Sequence, residues 1–133
     1  MTTLVREAMV VEPRTLGVEA TAQEAGELLA RDDVRAVFVC DDERFVGVIT
    51  RKTLVREVVA PGRDPKETPA GEIAEEPRYT FEAETPAEEA FRFMEEHDAE
   101  RVPVVEDGRL VGVLSRVVLQ RRLAEDEPPE EEN

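Results

Sequence analysis

Val37-Phe38-Val39-Cys40-Asp41-Asp42-Glu43-Arg44-Phe45-Val46-Gly47-Val48-Ile49-Thr50-Arg51 recurs in altered form in this chain. Shifted by 65 residues, its second copy reads Val102-Pro103-Val104-Val105-Glu106-Asp107-Gly108-Arg109-Leu110-Val111-Gly112-Val113-Leu114-Ser115-Arg116. From Glu24 to Val58, 13 of 35 positions match at this spacing, among them Asp33/Asp98, Leu54/Leu119 and Arg56/Arg121. The chain is one structural unit duplicated. Upstream the spacing shifts to 64, which pairs Thr21 with Thr85 and predicts one inserted residue where a helix begins.

Each copy can be read outward from this core. The β-branched runs Val34 to Cys40 and Arg101 to Val105 have strand length and composition. Acidic links at 41–44 and 106–109 read as hairpin turns, with Gly108 free to take positive φ. Second strands follow at Phe45 to Ile49 and Leu110 to Leu114, then helices carrying Leu54 and Val58, or Leu119 and Leu123. Before the first strand run, Thr21-Ala22-Gln23-Glu24 and Thr85-Pro86-Ala87-Glu88 both show the Thr-x-x-Glu spacing of a capping box. Ala87, Ala90, Phe91 and Met94 then form the stripe of an amphipathic helix, matched by Ala22, Ala25, Gly26 and Leu29. Short strands are predicted at Thr15 to Val18 and Arg78 to Phe81, and short helical turns at Val5 to Met9 and Ala70 to Ala74.

The reading is therefore α+β (sandwich-like α/β layers), each repeat running strand-helix-strand-strand-helix. Two small sheets are expected to pack with pseudo-twofold symmetry, because a unit of about 60 residues buries little apolar surface alone. Repeat 1 is placed at 1–62, a link at 63–68, repeat 2 at 69–124 and an acidic tail at 125–133. Helix breakers at Ala60-Pro61-Gly62-Arg63-Asp64-Pro65 mark the boundary.

Charge narrows the function. The chain has 133 residues, 32 acidic and 17 basic, for a net charge of −15. Six of the acidic residues fall in 125–133, which leaves −9 for the rest. That tail cannot bury apolar surface and is expected to be disordered. So acidic a chain lacks the clustered Lys and Arg that nucleic-acid backbones require. No apolar run reaches the roughly 20 residues of a membrane span, and the N-terminus lacks the pattern of a signal peptide. The single cysteine, Cys40, forms no internal disulfide. A cytoplasmic location is expected.

The repeated step Gly47-Val48-Ile49-Thr50-Arg51-Lys52-Thr53, and Gly112 to Val118 in the second copy, resembles the cystathionine-β-synthase (CBS) domain. Two copies in tandem resemble a CBS pair, or Bateman module, and the resemblance runs from Leu4 to Ala124. It implies a regulatory module without catalysis and without a required cofactor. Family members bind adenine nucleotides or adenosine derivatives in clefts between repeats, with phosphates on Thr/Ser hydroxyls and cations, and the ribose on an Asp. The family motif is Gly-apolar-apolar-Thr/Ser-x-x-Asp. Here the Asp is replaced by Thr53 in one copy and by Val118 in the other. A charge-assisted bond from a diol is worth about 1.5–3 kcal/mol. Thr53 offers one weaker bond and Val118 none, so the first site is favoured.

The resemblance implies a first lining of Thr15, Arg35, Val37, Thr50, Arg51, Lys52 and Thr53. Its second-repeat counterpart is Thr80, Arg101, Pro103, Ser115 and Arg116. Each has an ordinary alternative. Thr50 and Ser115 suit N-caps; Arg51, Lys52 and Arg116 suit solvated first-turn positions. Arg35 and Arg101 can neutralise Asp32, Asp33 or Glu100. His97, the only histidine, sits at a helix end without further metal-ligand neighbours, and Cys40 reads as a small hydrophobe. The expected function is a sensor for AMP, ADP, ATP, S-adenosylmethionine or a similar ligand, working as a homodimer or on a protein partner. The alternative is a dimerisation or interaction scaffold whose clefts bind no nucleotide.

Overall fold

The computed structural model describes residues 2–11 and 14–126. In chain order the elements are α1 (Val5–Ala8), β1 (Thr15–Gly17), α2 (Ala22–Leu29), β2 (Val37–Asp41), β3 (Arg44–Ile49) and α3 (Arg51–Leu54). A π-helical turn at Val55–Val59 extends α3. There follow α4 (Ala70–Ile73), β4 (Phe81–Glu82), α5 (Ala87–Glu96), β5 (Arg101–Glu106), β6 (Arg109–Ser115) and α6 (Arg116–Asp126). The α+β class and the strand-helix-strand-strand-helix order both stand. Helix α6 continues through Glu125 and Asp126, the first two residues of the expected tail; the rest of that tail lies outside the described residues.

Two compact units divide the chain. One, the first-repeat unit, comprises Pro13–Arg78 with Asp107–Leu110. The other, the second-repeat unit, comprises Met1–Glu12, Tyr79–Glu106 and Val111–Asn133. The leading helices are thus exchanged: α4, at the head of the second sequence copy, completes the first-repeat unit, and α1 completes the second-repeat unit.

In the first-repeat unit β1 runs parallel to β2, with Leu16 opposite Val39, and β2 runs antiparallel to β3, with Val39 opposite Gly47. Its core gathers Ala22, Ala25, Leu29, Val37, Val39, Ile49, Ala70 and Ile73. In the second-repeat unit β4 runs parallel to β5, with Phe81 opposite Val104, and β6 lies beside β5. Its core holds Val5, Ala8, Ala87, Ala90, Met94, Val102, Val104 and Leu114, the same positions displaced by 65 residues. One apolar pattern therefore builds both cores.

The spacing stays at 65 through the helix starts, which corrects the expected slip to 64. Leu16 and Phe81 occupy equivalent places opposite Val39 and Val104. The Ala22 N–H donates to Thr68 O at 2.8 Å, and the Ala87 N–H donates to Thr3 O at 2.8 Å. In α2 the capping box forms as expected: Thr21 Oγ1 accepts from the Glu24 N–H at 3.2 Å, and Glu24 accepts from the Thr21 N–H at 2.9 Å. In α5 the equivalent N-cap is Pro86, and no side chain caps the helix. The Thr85 box does not form, because Thr85 lies one residue too early for the helix that starts at Ala87.

Candidate functional site

The end of β3 carries the residues singled out in the first repeat. Val48 pairs with Glu75 across an isolated bridge, its N–H donating to Glu75 O at 2.8 Å and its O accepting from the Glu75 N–H at 2.9 Å. The approach is close enough to exclude a side chain: a Cβ on Gly47 would stand 2.7 Å from Glu75 O and 3.0 Å from Ala74 Cβ. That contact explains the glycine of the repeated step without any ligand. It also brings the Glu75 side chain to the start of α3.

There the side chains form a closed network. Thr50 is the N-cap of α3, with Oγ1 accepting from the Thr53 N–H at 3.3 Å. Thr53 Oγ1 accepts from the Thr50 N–H at 3.0 Å and donates to Glu75 Oε2 at 3.0 Å. The two threonine hydroxyls are 3.1 Å apart. Glu75 is also ion-paired with Arg56. Thr53 is 0% exposed, while the Glu75 side chain is 42% exposed. So the threonine standing where the family has Asp is sealed off, and the carboxylate behind it is open.

The remaining first-repeat candidates are scattered. Arg51 donates to Arg31 O at 2.8 Å and to Val34 O at 2.9 Å, tying the link after α2 to the start of α3. Lys52, Arg35 and Thr15 are exposed, and Thr15 starts β1 opposite Phe38. Val37 is 0% exposed, its side chain inside the core. Among these candidates, side-chain hydrogen bonds join Thr50 and Thr53 directly.

In the second-repeat unit the same backbone carries different chemistry. Val10 bridges Val113 as Glu75 bridges Val48, and a Cβ on Gly112 would meet Met9 Sδ at 2.6 Å and Val10 O at 2.8 Å. The polar trio is replaced by Ser115, Val118 and Val10, with Val118 39% and Val10 47% exposed. Ser115 Oγ accepts from the Val118 N–H at 3.5 Å, a long contact. Arg116 repeats the role of Arg51, donating to Met94 O and Asp98 Oδ1, both at 3.4 Å. Thr80 and Arg101 are exposed and Pro103 is buried.

Glu75 and Arg56 were not among the residues singled out in the sequence. Glu75 lies in the leading segment of the other copy, 22 residues from Thr53, and only the bridge to Val48 brings them together. Its alignment with Val10 at the 65-residue spacing is the one sequence signal. His97 stacks on Phe93 with centroids 4.0 Å apart, and its Nδ1 is 2.9 Å from Phe93 O. Burial pushes the Cys40 thiol pKa up, which keeps it protonated and weakly nucleophilic. Among the described residues no group of three or more His, Cys, Asp or Glu could hold a metal ion.

The family model of the CBS domain matches residues 5–60 and 70–125. Hypoxic response protein 1 of Mycobacterium tuberculosis is 33% identical over 124 residues, spanning 92% of this chain and 87% of the relative. A crystal structure of Hypoxic Response Protein I with two coordinated zinc ions superposes with a TM-score of 0.77 at 31% identity, over 90% of this chain and 98% of that one. CBS domain-containing protein YhcV of Bacillus subtilis is 27% identical over 111 residues, or 84% of this chain and 79% of the relative. CBSX2, solved in complex with AMP, has the same fold, with a TM-score of 0.73 at 22% identity over 92% of this chain and 96% of that one.

Proposed function

Because this chain belongs to the CBS domain family, we propose that it is a regulatory module that binds an adenosine-type ligand rather than an enzyme. The observation that carries this reading is the half-exposed Glu75 carboxylate, which Thr53 links by hydrogen bonds to the Thr50 hydroxyl at the end of β3. A carboxylate next to a hydroxyl is the hydrogen-bonding partner a ribose diol needs. It stands at the step where the family resemblance implies ligand contact. The first-repeat unit is the better site, since Val10 and Val118 offer no such group in the other. A ligand of this kind acts by binding one conformational state more tightly than another.

A second reading, an interaction scaffold or homodimer, is favoured by one surface. Val59, 69% exposed, lines an open apolar groove of about 540 Å³ together with Gly26, Leu54 and Val58. A melting series with adenosine, AMP, ADP, ATP and S-adenosylmethionine separates the two readings. A ligand at 1 mM with a Kd of 10 μM stabilises by about 2.7 kcal/mol, several degrees for a chain of this size. No shift with any compound, together with a dimer in sedimentation, selects the scaffold.

A further inference from the structure

Each unit carries an open groove at the same place, its lining residues 65 apart in the sequence. In the first-repeat unit Gly26, Glu27 and Val58 line it, between α2 and the π-helical turn that extends α3. In the second-repeat unit Phe91, Arg92 and Leu123 line it, between α5 and α6. The backbone surface is shared, yet the side chains on it differ in complementary senses. Gly26 has no side chain where Phe91 presents a half-buried ring. Val59, 69% exposed, stands where the other copy has Ala124. Glu27 is acidic where Arg92 is basic, and both are exposed. Among the described residues Glu27 accepts one long bond, from Gln23 at 3.4 Å, and Arg92 forms no ion pair. A hole, a bulge and a charge in one copy have their opposites in the other.

Two copies of one backbone surface, packed about a local twofold, bring central positions opposite their equivalents. The first face packed on itself sets Gly26 against Gly26 and Glu27 against Glu27, leaving a void beside two carboxylates. The second face on itself sets two Phe91 rings and two Arg92 guanidinium groups in the same place. Interface cores pack at the density of protein interiors, and like charges oppose contact. Unlike faces satisfy both demands. We propose that the α2–α3 face of one copy docks on the α5–α6 face of a second copy, with Phe91 entering the groove beside Gly26 and Glu27 pairing with Arg92. This narrows the homodimer reading above to one pairing of faces, and it holds whether or not a nucleoside binds.

Sedimentation of the full chain over a concentration series tests the proposal, with circular dichroism to check each fold. The wild type should self-associate. Glu27→Arg and Arg92→Glu, both at exposed helical positions, should each weaken association about tenfold by setting like charges together. The double change Glu27→Arg with Arg92→Glu restores opposite charges and should return the Kd to within about threefold of wild type. Gly26→Leu fills the groove and improves helix propensity, so it should weaken association about tenfold or more without lowering the Tm. Single reversals without effect, a double change that does not recover, or a Gly26→Leu protein that associates normally overturns the pairing of unlike faces and leaves the homodimer reading in place. A wild type that is monomeric at every concentration overturns both.

Discussion

The two units share a backbone and a core but differ at the end of the third strand of each repeat. In the first-repeat unit Thr50, Thr53, Glu75 and Arg56 form a linked polar network. In the second-repeat unit the same places hold Ser115, Val118, Val10 and Arg121, with two valines partly in solvent. Duplication has kept the glycine at 47 and 112, the bridge behind it, and the arginine that ties the following helix to the loop after α2 or α5. It has not kept the groups that could meet a ligand. Shared features hold up the fold, and the features that differ between copies are where a function can reside.

The strongest way to break this separation is at the shared glycine. Gly47→Ala places a Cβ 2.7 Å from a backbone carbonyl that is itself held by the Val48–Glu75 hydrogen bonds. Overpacking against backbone typically costs about 1–3 kcal/mol, and here it also strains two ladder bonds. We expect about 3 kcal/mol by urea unfolding, and a loss of the same order for Gly112→Ala. A Gly47→Ala protein as stable as the wild type would show that the glycine serves something other than the bridge.

Next in size is the polar network itself. Thr53→Val preserves volume but removes one acceptor and one donor from a fully buried site, stranding the Thr50 N–H and weakening the hold on Glu75. The expected cost is about 2 kcal/mol. The reverse change in the other copy, Val118→Thr, adds a hydroxyl at a partly exposed position and should fall within about 0.5 kcal/mol of wild type. Equal costs at the two positions would mean that the network is not what distinguishes the copies.

The helix starts give a smaller contrast. Thr21→Ala removes the Oγ1 that accepts from the Glu24 N–H, for about 1 kcal/mol. Thr85→Ala, one residue outside its helix start, should cost no more than about 0.5 kcal/mol. If the two changes cost the same, the 65-residue register at α5 is wrong.

That register also shows how much of the molecule was legible beforehand. Strands and core were readable because each depends on apolar periodicity within a short window, and the turns because their polar residues and Gly108 are local signals. Leu29 and Met94, or Val39 and Val104, face inward whichever copy is considered. The Thr85 box misled because a local motif was matched without the tertiary bond that sets the helix start, the Ala87 N–H on Thr3 O. Glu75 was invisible for a related reason. Its place beside Thr53 is decided by a bridge between segments far apart in sequence, and no spacing rule connects them. The hydroxyls of Thr50 and Thr53 can be read from the sequence, but the complete burial of Thr53 and its hydrogen bond to Glu75 cannot.

The smallest effect concerns Gly26, which occupies the α2 position equivalent to Phe91 in α5. Phe91 packs against the core of its unit, whereas Gly26 leaves the groove lined by Leu54 and Val58 open. A Cβ at Gly26 would meet Leu54 Cδ1 at 3.8 Å, ordinary van der Waals contact, and its φ is not in the positive range. Neither packing nor backbone conformation therefore requires the glycine. In a helix interior glycine costs about 0.5–1 kcal/mol relative to alanine, so Gly26→Ala should raise the melting temperature by a few degrees. Because the added methyl lies in the groove and not at the end of β3, adenosine binding should be unchanged. If a dimer weakens while monomer stability rises, the glycine is retained for what enters the groove, and the copies differ in their partner surfaces as well as in their polar networks.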